Sequence, residues 1–197
     1  MIKLTTLLSV LLLCSCRLLP EQALVDLYQL PPPAINPSTS PTQLEALRIA
    51  RPLTNEALGG NRLLIVTENN RLQAFAQTRL ASPAPLVWRD WLLDAFWRDG
   101  RVAALSAASE GLRSELELGG MLRSFHIDAS GARPEAVILF DATLMRTTDR
   151  SVIASRRFES RYPADALTAA DAIGALGSAA SQLARELVDW TVSLSSS

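Results

Sequence analysis

The chain has 197 residues, 48% of them apolar, and 19 Lys plus Arg against 20 Asp plus Glu give a net charge of −1. Such a balance offers no basic footprint for nucleic acid, and the apolar content excludes a disordered chain. The single lysine is Lys3, so a Walker-type ATP site, which needs a lysine after its glycine-rich loop, is excluded from the body of the chain.

Met1, Ile2 and Lys3 make a short positive start, and residues 4–13 are an apolar run too short to cross about 30 Å of hydrocarbon. This is the pattern of a signal peptide. Leu13-Cys14-Ser15-Cys16 then has the form of a lipobox: aliphatic residue, spacer, small residue, cysteine. A small residue must precede the cut, and Cys16 meets that condition behind Ser15 where Cys14, behind Leu13, does not. Residues 17–197 hold no further cysteine, which argues against a disulfide scaffold, and a C-x-C pair supplies too few of the roughly four ligands zinc takes. The expected organisation is a signal peptide over 1–15, a lipidated tether over 16–23 and one periplasmic domain over 24–197. Cys16 is the expected lipidation site, and several acyl chains there would give a stable membrane anchor. Arg17, rather than aspartate, follows it, which favours the outer membrane over the inner. No second apolar stretch approaches transmembrane length.

Residues 24–30 alternate well enough for a first strand. Pro31, Pro32, Pro33, Pro37 and Pro41 predict a stiff extended linker. Residues 44–49 read as a strand, 53–58 are ambiguous, and Gly59-Gly60-Asn61 is a turn. Residues 62–66 and 71–76 predict a hairpin around Glu68-Asn69-Asn70. After the break at Pro83 and Pro85, Trp88, Trp91, Leu92, Ala95 and Phe96 recur at helical spacing, and Asp99-Gly100 ends the helix. Trp88, Trp91 and Trp97 fit a core, with Trp97 the exception; the alternative is a partner surface made by all three. Residues 102–105 are a strand.

Residues 112–128 predict a long strand with a bulge at Gly119-Gly120, placing Met121, Arg123, Phe125 and Ile127 on one face. Residues 136–146 and 152–162 predict a hairpin whose first arm turns Ile138, Phe140, Ala142 and Leu144 to the core. In the last helix Ile173, Leu176, Ala180, Leu183, Leu187, Trp190 and Leu194 step by threes and fours, and Thr168 with Asp171 resembles a capping box. That seam is core, or, as the alternative, a coiled-coil face. The one histidine, His126, alternates beside Asp128. It needs an oriented nucleophile to act as a general base, and there is no G-x-S-x-G elbow. His126 is therefore read as structural or surface, an enzyme using it with a serine being the alternative. No cofactor or metal is called for.

Several landmarks occur in order: Asp26-Leu27-Tyr28-Gln29-Leu30-Pro31 after the lipobox, Arg79 before Pro83-Ala84-Pro85, and Leu116-Glu117-Leu118 leading to Phe125. The hairpin ending in Phe158 and Tyr162-Pro163, and the alanine-rich helix closing at Trp190, follow. Together they resemble the ABC-type transport auxiliary lipoprotein family, the paraquat-inducible protein C-like group, over nearly the whole chain after the signal. Leu80 departs from the tryptophan usual at that position. The resemblance implies an α/β fold: a single domain with a mixed, mostly antiparallel sheet, helices packed on it, and a long C-terminal helix. It also implies a non-enzymatic role in lipid traffic beside the mammalian-cell-entry domain protein of an ABC transporter, with homo-oligomerisation left open. The alternative is an envelope scaffold or activator of another machine, such as a cell-wall synthase, with no lipid cargo.

Overall fold

A computed structural model of the chain describes residues 24–194; Cys16 and the tether 16–23 lie outside the described residues. The elements in order are β1 (Asp26–Tyr28), β2 (Leu44–Ile49), β3 (Arg62–Thr67), β4 (Arg71–Leu80), α1 (Ala84–Asp99), β5 (Val102–Ala107), β6 (Leu116–Asp128), β7 (Glu135–Arg146), β8 (Val152–Pro163) and α2 (Ala169–Ser193). All eight strands belong to one mixed sheet that forks at β6. On one edge of β6 lies the antiparallel β7–β8 hairpin. On the other edge β2 pairs in parallel with the start of β6 (Leu47 with Leu116) and β3 with its end (Leu64 with His126). β5 extends the first branch, and β4 with β1 extends the second. Antiparallel pairing dominates because the two longest ladders, β6–β7 and β7–β8, are both antiparallel.

The ambiguous stretch between β2 and β3 runs along β6 without becoming a strand. Leu53 N–H donates to Gly120 O at 2.9 Å and Leu122 N–H to Leu53 O at 2.8 Å, while the Thr54 hydroxyl donates to Leu122 O at 2.8 Å. These bonds satisfy backbone groups of β6 that the fork would otherwise leave open.

The bulge expected at Gly119-Gly120 is not there. Both glycines pair regularly, with Thr143 and Ala142, and the register shifts between Leu122 and Ser124, so Arg123 is the extra residue. An inserted residue reverses the alternation of faces. Leu116, Leu118 and Leu122 are therefore buried before the bulge and Phe125 and Ile127 after it, so Met121 and Arg123 do not share the inner face. Gly120 serves a different need. It sits at φ 137°, and a Cβ there would lie 2.0 Å from the Asp141 carbonyl oxygen.

α2 covers the inner face of β7 and β8, and α1 packs beside it against β5. The apolar seam is buried within the chain: Leu176, Leu183 and Leu187 are each at most 2% exposed. Thr168 caps the helix, its hydroxyl oxygen accepting from Asp171 N–H at 3.2 Å, which satisfies one of the free N–H groups of the first turn. α1 ends where Gly100, at φ 82°, lets its N–H return to Phe96 O at 3.2 Å. Ile138, Phe140, Ala142 and Leu144 all face the core as expected.

Candidate docking site

The three tryptophans of α1 do not share a surface. Trp88 is fully buried, stacked on Trp91 at 6.0 Å between ring centroids and edge-on to Phe125 at 6.5 Å and Phe140 at 5.8 Å. Trp91 is also buried, and its indole N–H donates to Pro31 O at 2.8 Å. Trp97, one turn from the end of α1, stands 61% exposed. A surface of all three is thus replaced by one outward side chain above two core residues.

Pro31 belongs to a strap over residues 29–38 that crosses between the helices. The prolines make it extended, as expected, but it is not a free linker. A Cβ on Gly177 of α2 would come within 2.8 Å of the Pro31 ring, so the ring occupies a notch that only glycine leaves open. Further along, Ala34 N–H donates to the Ser181 hydroxyl at 3.1 Å, and Ser38 N–H donates to Asp99 O at 2.8 Å. Prolines lack N–H groups, so these few donors account for much of the strap's polar anchoring. Between strap and helix lies an open cleft of about 390 Å³ bordered by Leu30, Pro32, Pro33, Val87, Asp90 and Asp94. Its carboxylates are held locally: Arg89 reaches Asp90 at 2.6 Å and Arg98 reaches Asp94 at 3.0 Å.

Asp99 is buried at the carboxyl end of α1, where the helix dipole disfavours an anion. Arg101 compensates it with two bonds, at 2.7 and 2.9 Å, and extends a third at 2.6 Å to Asp189 of α2. The guanidinium is held charged even more firmly than usual, first by its bond to Asp99. This cluster joins the far ends of the two helices.

The outer face of the sheet carries ion-pair ladders. Asp141 is bonded by Arg123 and, at 2.6 Å, by Arg157; the Arg157 bond first and then Arg123 hold its carboxyl well below the usual range. Beside them His126 sits at a cleft of about 400 Å³ with Leu58, Leu64, Val66 and Leu72. Burial pushes its pKa down more than Asp128 lifts it, which favours the neutral imidazole. The Asp128 carboxylate is engaged elsewhere: it accepts from Ser130 N–H at 3.0 Å and Oγ at 2.6 Å, and Arg161 lies 3.6 Å away. Ser130 therefore bonds the acid and not the imidazole, so the three do not form a relay.

The strap, Arg101 and the displaced bulge were not read from the sequence. A signal for the strap existed in Gly177 and Ser181, small residues one helical turn apart in an otherwise well-formed helix. Leu80, where the resemblance has tryptophan, is 1% exposed at the end of β4, so this position packs into the core. Among the described residues no helix is long and apolar enough to cross a membrane.

The fold and the strap define a single-domain α/β protein on a curled, forked sheet closed by a long C-terminal helix. The chain belongs to the family described as ABC-type transport auxiliary lipoprotein component, which matches residues 28–188. It is similar to a Xanthomonas campestris protein of the DUF330 family, whose crystal structure superposes with a TM-score of 0.78 at 26% identity, covering 87% of this chain and 97% of that one. A second crystal structure, of an uncharacterized protein, gives a TM-score of 0.64 at 17% identity over 85% of this chain and 98% of that one, and shares the fold. No curated protein matches the chain by sequence. The family places this protein among lipoprotein components of ABC-type transport in the cell envelope.

Proposed function

We propose that this protein is lipidated at Cys16, held at the outer membrane facing the periplasm, and acts without catalysis as the auxiliary partner of a mammalian-cell-entry-type ABC lipid transporter. The family match carries this reading: it begins at residue 28, twelve residues after a cysteine set in a lipobox. Trp97 supports a role by contact, since it is the one exposed large apolar side chain of α1, and tryptophan is a residue type enriched where proteins dock. We assign it to the partner surface, and we take self-assembly of several copies as part of the same reading.

Affinity capture of the lipidated protein from its native envelope, with mass spectrometry of protein and lipid, tests this. Recovery of a mammalian-cell-entry domain protein together with phospholipid is the expected result. Recovery of a cell-wall synthase with no transporter subunit would sink the proposal in favour of a scaffold without lipid cargo.

A further inference from the structure

The sheet has two ends of different character. β4 and β7 start at the end where β3, β6 and β8 finish, and β1 runs in the direction of β4 beside its last three residues, Thr78–Leu80. Followed backwards from Tyr28 to Leu24, the chain heads toward this end. Leu24, Val25 and Leu27 are 89%, 48% and 69% exposed, although large apolar side chains on an edge strand are normally turned inward or replaced by charges. Leu72 in the first half of β4, Tyr162 at the close of β8 and Leu167 just beyond it are exposed at the end toward which that segment heads. With Leu24, Val25 and Leu27 these make six of the ten large apolar side chains exposed among the described residues. Trp97, Leu112 and Val152 lie toward the other end, near the start of β5, β6 and β8 respectively.

What faces the first end follows from chain length. Eight residue steps separate Cys16 from Leu24, and an extended chain covers about 3.3–3.6 Å per residue, so the tether reaches no more than about 29 Å. We propose that Leu24, Val25 and Leu27 form a membrane foot, resting in the headgroup and upper acyl region of the bilayer that holds the anchor, with Trp97 directed away from it. This inference rests on the lipidation of Cys16 proposed above. Apolar side chains removed from water at a bilayer surface contribute to peripheral binding in addition to the acyl chains. The foot would fix how the domain stands on the membrane, which attachment at one residue alone does not.

Because residues 17–197 lack cysteine, a single introduced thiol can be labelled cleanly. Leu27→Cys and, separately, Val152→Cys would be placed in the full chain, matured and lipidated, labelled with an environment-sensitive fluorophore, and reconstituted in vesicles of phosphatidylethanolamine and phosphatidylglycerol. Both side chains are exposed, so neither substitution threatens folding. The expected result is blue-shifted emission at position 27, quenched by brominated acyl chains and protected from iodide, with the opposite behaviour at position 152. Equal iodide quenching at both positions, or lipid quenching at 152 alone, would overturn the foot while leaving lipidation intact. Burial of position 27 without quenching by brominated lipid would assign that surface to a protein partner and also overturn it. The intact mass is read first: a chain without diacylglycerol on Cys16 removes both this inference and the lipoprotein reading beneath it.

Discussion

α1 and α2 bury themselves by different means. α2 turns Leu176, Leu183 and Leu187 to the sheet and leaves Gly174, Gln182, Arg185, Glu186 and Asp189 in water. α1 is enclosed by the sheet on one side and by the proline strap on another, so Asp90, Trp97 and Arg98 are its only exposed positions. A helix with one buried stripe advertises itself through a period of 3.6, whereas a helix enclosed nearly all round loses that contrast. The difference also separates what an exposed aromatic means on each. Trp190 of α2 is half-buried and edge-on to Phe158 at 5.5 Å, while Trp97 has no ring partner among the described residues.

The comparison breaks first at Trp88. Replacing it with alanine removes the ring that joins α1 to Phe125 and Phe140, and a loss of about 3–5 kcal/mol is expected in urea unfolding. Trp88→Phe should cost far less, because the buried indole N–H has no hydrogen-bond partner among the described residues and phenylalanine removes that unsatisfied group. Equal losses for the two variants would mean that a phenyl ring restores none of the packing and that the indole itself is required there.

The strap is tested next, at two glycines of the same helix. Gly177→Val puts side-chain atoms into the rigid Pro31 ring and should destabilise by roughly 1–3 kcal/mol. Gly174→Ala enters open space in the helix interior and should stabilise by about 0.5–1 kcal/mol. Shifts of the same sign in the thermal midpoints would show that the strap is not seated in the notch.

Smaller still is the cap of α2. Thr168→Ala removes the acceptor for Asp171 N–H and should cost about 1 kcal/mol, measured by the same unfolding curve. Trp97→Ala is expected to change stability by no more than about 0.5 kcal/mol, since an exposed side chain gives up little packing. Its effect should instead appear as reduced co-purification of the transporter component. A stability loss as large as that of Trp88→Ala would make Trp97 a core residue in disguise.

Local chemistry settled a good deal of this protein from the sequence alone. Strand β2, the β7–β8 hairpin with its inner face, the Thr168 cap, the Gly100 stop and the seam of α2 depend on residues within a few turns of one another, so their spacing carries the information. The order of landmarks, read together, reached the family. Other features depend on partners far apart in sequence, and only the tertiary structure decided them. The bulge fell at Arg123 and not at the glycines because the ladder with β7, not local flexibility, determines where a residue is left unpaired. The strap became part of the core because Gly177, almost 150 residues later, leaves room for Pro31. Trp91 and Trp97, six residues apart on one helix, went to opposite environments because the strap covers the first and nothing described covers the second. Periodicity tells which side chains share a face; which faces meet is decided only when distant segments compete for the same apolar surface.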